Sequence, residues 1–91
     1  MNGQIAAGLG RDLIAPLCEH ISASHLDGRA AVAADTPLLE WGVLDSLAFG
    51  DLLAFIEQRF QISVPLEEIL PANFRSVEEI ASLLERLRSR R

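Results

Sequence analysis

Residues 41–47 read Trp41-Gly42-Val43-Leu44-Asp45-Ser46-Leu47, a turn that ends in two polar residues and leads directly into an apolar segment. Asp45 and Ser46 are both residue types that favour the start of a helix, where a side-chain oxygen accepts from a free backbone N–H. Apolar residues then recur at the spacing of one buried helix face. These residues are Phe49, Leu52, Leu53, Ile56 and Phe60. The stretch therefore predicts a helix from about Ser46 to Phe60, with an exposed serine at its positive end.

Two further long helices are predicted, one on each side of this segment. Upstream, apolar residues share one helical face between residues 4 and 24. Pro16 interrupts them, so we expect either a helix that starts near Asp12 after an irregular lead-in, with Pro16 near its first turn, or a longer helix kinked at Pro16. We prefer the first. Downstream, Ser76 and Glu79 form a capping box that opens the last helix.

A long connection from Arg29 to Leu44 joins the first two helices, and loops of that length are uncommon unless they are pinned or functional. We expect four side chains to pin it: Leu38, Leu39, Val43 and Leu44. After the second helix, Pro65 opens a brief helical segment through Leu70, and Phe74 anchors the turn that follows. The predicted fold class is all-α, a small four-helix bundle of three main helices plus one short helix, with a long loop between helices one and two.

The composition narrows the possible functions. Ninety-one residues make one domain at most, expected to span residues 1–91 with a core from about 12 to 88. The net charge of −5 argues against a nucleic-acid partner and favours partners with basic surfaces. The single Cys18 excludes an internal disulfide framework, so we expect a cytoplasmic protein with this thiol as a small buried hydrophobe. Neither a signal peptide nor a run long enough to span a membrane is recognisable, so no membrane partner is expected.

Ser46 lacks the partners that a catalytic serine requires. A serine nucleophile needs a base that is itself held by a third group. The chain has only His20 and His25, both near the end of helix one and neither in a recognisable catalytic motif. We therefore expect no catalytic residues and no enzymatic activity. Two histidines without further ligands also make no metal site, and we expect both at the surface or at the helix end. For Ser46 itself, the simplest interpretation is a helix cap.

The sequence around Ser46 continues into a longer pattern. Its parts are Gly42-Val43-Leu44-Asp45-Ser46-Leu47, then Leu52, Leu53, Ile56, Glu57 and Phe60, and then residues 62–68 and 71–77. Together they resemble the acyl carrier and peptidyl carrier protein family over roughly residues 36–88, whereas helix one agrees only in position and amphipathicity. The resemblance implies that Ser46 carries a 4′-phosphopantetheine arm. Coenzyme A would donate the arm, a phosphopantetheinyl transferase would install it, and acyl or aminoacyl groups would be held on it as thioesters.

The resemblance also implies partner enzymes. They are the transferase, an adenylating ligase or acyltransferase that loads the arm, and downstream condensing or tailoring enzymes, all acting on a monomeric carrier. Any of these must approach the outward face of helix two, where we expect a recognition stripe of Leu47, Asp51, Ala54 and Gln58. Phe55 on its shoulder, Asp45 and Trp41 are expected to contribute. The simpler alternatives are that Leu47 is an ordinary exposed leucine and that Trp41 anchors the loop. Between residues 35 and 79 there are nine acidic residues and two arginines, and this negative charge favours basic partners.

Two departures from the family pattern bear on the subclass. Ala48 and Arg59 stand where fatty-acid carriers usually have acids, leaving mainly Asp51 and Glu57, and the Gly-Gly-His-Ser motif of large synthetases is absent. The resemblance is greatest to free-standing carriers, and a chain from Met1 to just past the last helix suits a discrete protein.

We therefore predict a discrete acyl or aminoacyl carrier of polyketide or nonribosomal-peptide metabolism. One alternative within the carriers is a fatty-acid-synthesis or D-alanyl carrier protein. A further alternative, from a different functional class, is a non-carrier helical adaptor. It would bind proteins through Leu47 and Phe55, and Ser46 would be only a helix cap.

Overall fold

A computed structural model describes residues 11–25 and 32–89 of the chain. In these ranges the chain forms three α-helices: α1 (Arg11–His25), α2 (Ser46–Phe60) and α3 (Val77–Ser89). The described residues contain no strand. The predicted all-α class with three main helices is therefore confirmed, and α2 has the predicted bounds.

Two short 3₁₀ helices, Leu66–Glu68 and Pro71–Phe74, connect α2 to α3. The prediction of one short helix through Leu70 was wrong. Leu70 is extended, with φ −122° and ψ 146°, because the residue before a proline is disfavoured in the helical region. Pro71 then opens the second turn, where its missing N–H is not needed.

Pro16 lies inside α1, as the sixth residue of the described helix. The prediction that Pro16 falls near the first turn was therefore wrong, and Asp12 lies inside the helix. A proline in a helix interior removes a hydrogen bond and is unfavourable by about 3 kcal/mol. Leu13, Leu17 and Ile21 are fully buried on both sides of it, and this burial offsets the loss. The predicted irregular lead-in lies outside the described residues.

The core is formed by the inward faces of the three helices. Its largest fully buried members from the helices are Leu13, Leu17, Ile21, Leu52, Ile56, Ile80, Leu83 and Leu84. The buried residues of α3 are Val77, Ile80, Ala81, Leu83, Leu84 and Leu87. On α2, by contrast, Phe49, Leu53 and Phe60 are only half-buried at the edge of the core, and Ala48 is buried instead.

The loop before α2 is held by buried side chains and by backbone hydrogen bonds to the start of α3. Leu38, Val43 and Leu44 are buried as predicted, but Leu39 is 38% exposed, so its predicted role as a pin was wrong. The Leu38 N–H donates to the Arg75 carbonyl at 2.8 Å, and the Glu78 N–H donates to the Ala34 carbonyl at 3.0 Å. The segment that leads to Ser46 is therefore fixed against α3. Its first residues, 29–31, lie outside the described residues.

Candidate functional site

Asp45 and Ser46 have different roles at the start of α2. Asp45 is extended, and its Oδ1 accepts from the Ala48 N–H at 2.8 Å, so Asp45 is the N-cap. Ser46 is the first helical residue and is exposed. Its hydroxyl makes no hydrogen bond to any residue that the structure describes. The interpretation of Ser46 as a helix cap was therefore wrong, since its neighbour already satisfies the free amide.

The position of Ser46 suits a negatively charged group. The first backbone N–H groups of a helix have no partners within the helix, and the helix dipole is positive there. An anion attached to an exposed first residue gains about 0.3–1 kcal/mol from this field. The Asp45 carboxylate opposes such an anion by like charge, but its Oδ1 is directed to the Ala48 N–H. The serine oxygen is thus accessible, unbonded and in a favourable field.

An open apolar pocket of about 270 Å³ lies directly beside Ser46. Its walls come from the loop, the start of α2, the segment between the two 3₁₀ helices and the second of these helices. The lining residues are Leu39, Leu44, Asp45, Ser46, Phe49, Ile69, Leu70, Pro71 and Phe74. Phe49 and Phe74, which both line it, meet edge to face, with ring centroids 4.8 Å apart. The sequence did not predict this pocket; two of its lining leucines, 39 and 70, are partly exposed in the structure.

The recognition stripe has the exposure that its spacing predicts. Leu47 is 85% exposed, and Asp51, Ala54 and Gln58 are exposed along the same face of α2. Phe55 is half-buried, as expected for a residue on the shoulder.

Two residues near the stripe differ from their predicted settings. Trp41 is 70% exposed, so the alternative in which it anchors the loop was wrong; the loop is anchored by buried aliphatic side chains instead. Ala48 is buried, so an acid at that position would not lie on the partner surface. The contrast with the acidic face of fatty-acid carriers therefore depends on Arg59, which is exposed.

His20 is not a simple surface residue. Its Nε2 lies 2.9 Å from Asp51 Oδ2, and its ring stacks on Phe55 with centroids 3.9 Å apart. It thereby joins α1 to the recognition stripe, a contact that the sequence did not predict. The side chain of His25 lies outside the described residues. Among the described residues, no group of three or more His, Cys, Asp or Glu could hold a metal ion.

Cys18 is half-buried against the core. Burial raises the pKa of its thiol above the usual value, and the neighbouring Glu19 carboxylate raises that pKa further. Because the thiolate is the reactive form, this cysteine is a poor nucleophile at neutral pH. Its setting is that of the small hydrophobe predicted from the sequence.

In the ranges that the structure covers, no helix is long and apolar enough to cross a bilayer.

Comparisons with known proteins identify the family. Residues 22–84 match the family model described as "Phosphopantetheine attachment site". The chain is 38% identical over 74 residues to the "Probable acyl carrier protein PigG" of Serratia sp. (strain ATCC 39006), covering 80% of this chain and 85% of that protein. It is also 40% identical to a chain in a solved structure described as "Crystal structure of FAD-dependent dehydrogenase", with a TM-score of 0.73, covering 76% of this chain and 99% of that one.

The fold, the exposed serine and these matches define a phosphopantetheine-binding carrier. The chain belongs to the acyl carrier protein family. Its prosthetic group is a covalently attached 4′-phosphopantetheine, and the family consists of non-enzymatic carriers. The alternative of a non-carrier adaptor is thereby overturned, because the match to the phosphopantetheine attachment family includes Ser46 and all of α2.

Proposed function

We propose that Ser46 carries the phosphopantetheine arm and that the chain is a discrete carrier of acyl or aminoacyl thioesters in polyketide or nonribosomal-peptide metabolism. The observation that carries this proposal is the exposed Ser46 hydroxyl, which heads α2 while Asp45 does the capping. A phosphodiester at that oxygen meets the positive end of the helix and displaces no hydrogen bond made with the described residues. The helix start thus fits the group chemically.

In this proposal the chain's own residues act by presentation. Ser46 holds the arm at a fixed point, and the recognition stripe beside it supplies the surface that enzymes contact. Trp41, Asp45 and Phe55 extend that surface. The transferase, a loading ligase or acyltransferase, and condensing or tailoring enzymes would each dock there in turn. A monomer leaves this surface open, so we propose that state, in the reducing cytoplasm that suits a free Cys18 thiol.

The attachment is tested by coexpression with a broad-specificity phosphopantetheinyl transferase. The wild-type chain should gain the mass of one phosphopantetheine, and Ser46→Ala should gain none, as measured by intact-protein mass spectrometry. Ser63→Ala is the matched control, because Ser63 is also exposed but lies after α2, and it should be modified like the wild type. An unmodified wild type, or a modified Ser46→Ala variant, would contradict the proposal.

We further propose that a flavin-dependent dehydrogenase is among the enzymes that dock on this carrier. The match uses 76% of this chain but covers 99% of the matched chain in the dehydrogenase structure. The matched chain is therefore the shorter of the two. A chain of that length makes only one small domain, so we infer that it is a carrier bound to the enzyme. Such an enzyme would oxidise the thioester-bound group: a base of the enzyme would take a proton from the carbon next to the carbonyl, the next carbon would give a hydride to the oxidised flavin, and a double bond would form between the two carbons.

This partner is tested by calorimetric titration of the holo carrier into the dehydrogenase of that solved structure. We expect a Kd of about 10 μM, as for a small transient interface. Leu47→Asp should weaken binding at least about tenfold, because it places a charge in the contact. Ser82→Asp introduces the same charge on an exposed face of α3 and should leave the Kd unchanged. No binding at carrier concentrations of about 1 mM, or equal effects of the two variants, would rule this partner out.

A further inference from the structure

One imidazole connects α1 to two successive turns of α2. His20 Nε2 lies 2.9 Å from Asp51 Oδ2. The same ring stacks on Phe55, with centroids 3.9 Å apart and planes inclined by 9°. Asp51 and Phe55 are four residues apart and therefore neighbours on one helix face. His20 thus constrains both the carboxylate in the recognition stripe and the aromatic ring on its shoulder.

The contacts of His20 define its orientation. A carboxylate only accepts hydrogen bonds, so the hydrogen of the His20–Asp51 bond resides on Nε2. The other nitrogen, Nδ1, lies 3.5 Å from the Ser24 hydroxyl, one turn further along α1. Phe55 in turn meets Phe60 edge to face, with centroids 5.8 Å apart. His20 and Phe55 are therefore each held by a further neighbour.

This arrangement lies at the surface and not in the core. The Asp51 side chain is 52% exposed and that of His20 is 18% exposed. Glu19 and Arg59 line the same open pocket as His20 and Phe55. Exposed pairs of this kind add little to stability, because water competes for both groups. Their effect on binding is different: a side chain already held in one conformation loses less entropy when a partner contacts it.

We propose that His20 is a positioning residue for docking of the phosphopantetheinyl transferase, and that it holds Asp51 and Phe55 in the geometry that this enzyme contacts. The docking surface is then formed by α1 and α2 together, and not by α2 alone. The inference rests on the proposed function, in which enzymes approach Ser46 along the recognition stripe. It assigns to α1, which the sequence related to the family only by position and amphipathicity, a direct part in recognition.

The test uses the apo chain as the varied substrate of a broad-specificity phosphopantetheinyl transferase, with coenzyme A saturating. His20→Phe keeps an aromatic ring for Phe55 and removes the donor to Asp51, whereas His20→Gln keeps a donor and loses the ring. We expect His20→Phe to raise the KM for the carrier about fivefold with kcat within about twofold. His20→Gln should recover part of this loss. The matched control is Arg11→Gln, at an exposed position that helical periodicity places on the other face of α1, and it should keep the wild-type KM.

A double-mutant cycle with Asp51→Ala shows whether the two side chains act together. Once Asp51 is removed, His20→Phe should raise the KM by less than about twofold. A wild-type KM for His20→Phe, an effect confined to kcat, or additive effects in the cycle would overturn the proposal. If His20→Phe does not fold, judged by circular dichroism, the same cycle with His20→Ala, which also removes the donor to Asp51, decides. A wild-type chain that takes no arm contradicts the proposed function, whereas a modified wild type whose KM ignores His20 contradicts only this inference.

Discussion

At the residue scale, the neighbours Asp45 and Ser46 divide capping and exposure between them. Both are residue types that cap helices, so composition alone assigns either role to either residue. The structure separates them by one position: the Asp45 carboxylate is directed to the Ala48 N–H, and Ser46 is left exposed. Stability and attachment should therefore respond to different substitutions, although the two residues are adjacent.

Asp45→Ala should lower the free energy of unfolding by about 1 kcal/mol, because the Ala48 N–H loses its partner. For a domain of this size that corresponds to a decrease in Tm of about 4–8 °C. Asp45→Asn keeps an accepting oxygen and should retain most of the stability. Urea denaturation followed by circular dichroism measures both.

The control for this prediction is Ser46→Ala, which should change the free energy of unfolding by less than about 0.5 kcal/mol. If Ser46→Ala destabilises the chain as much as Asp45→Ala does, the assignment of the cap is wrong.

Trp41 shows what size and hydrophobicity alone do not decide. A tryptophan in a loop is a natural candidate for an anchor, because it can bury a large apolar area. Here Leu38 and Val43 fill that role, and Trp41 stays mostly exposed. The pattern of apolar residues along the loop could not show which of them are buried, since this depends on which side of the loop faces α3.

At the scale of elements, α2 was predictable because its signals are local. The cap and the apolar spacing both lie within or next to the helix. The helix ends where Gln61 takes a left-handed conformation, with φ 61°, and its N–H donates to the Glu57 carbonyl at 3.0 Å. Glycine is the usual residue there, so this end was indicated by the apolar pattern and not by the residue type.

Elements whose form depends on packing were less predictable. Local propensity places Pro16 near a helix start, but burial of the residues around it keeps it inside α1. The candidate site likewise has features that the local sequence predicts and features that depend on packing. The sequence pattern singles out Ser46 and the recognition stripe, whereas the pocket depends on residues 39 and 69–74 coming together in the fold. The contact between His20 and Asp51, 31 residues apart, likewise has no local signal.

At the scale of the whole molecule, an ion pair connects the start of α1 to the end of α3. Arg88 donates to both carboxylate oxygens of Asp12, at 3.2 and 3.3 Å, and also pairs with Glu85. The hydrogen bond from Arg88 lowers the pKa of Asp12, and the guanidinium pKa is raised in return. Because the folded-state pKa of Asp12 is depressed, its contribution to stability is present above the unfolded value, near 3.9. It is lost as the pH falls through the folded-state pKa.

Asp12→Asn should therefore lower the free energy of unfolding at pH 7, and should lower it less at about pH 2, because the contribution of the ionised Asp12 is lost as the pH falls through its folded-state pKa. The loss at pH 7 should stay below about 0.5 kcal/mol, because the Asp12 side chain is 64% exposed and solvent screens the pair. Urea denaturation at the two pH values measures it. Glu40→Gln, which removes an exposed loop carboxylate, is the control. A difference of the same size at both pH values would show that the ion pair is not its cause.

The hydrogen bonds from Leu38 to Arg75 and from Glu78 to Ala34 hold the segment before Ser46 against α3. An arm at Ser46 would therefore be tethered to a stiff base, and nearly all the motion of its cargo would come from the arm. A docked enzyme would meet the thioester as a tethered ligand, at an effective concentration in the millimolar range or above. Weak docking would then be sufficient for capture, and rapid release would let one carrier serve several enzymes in succession.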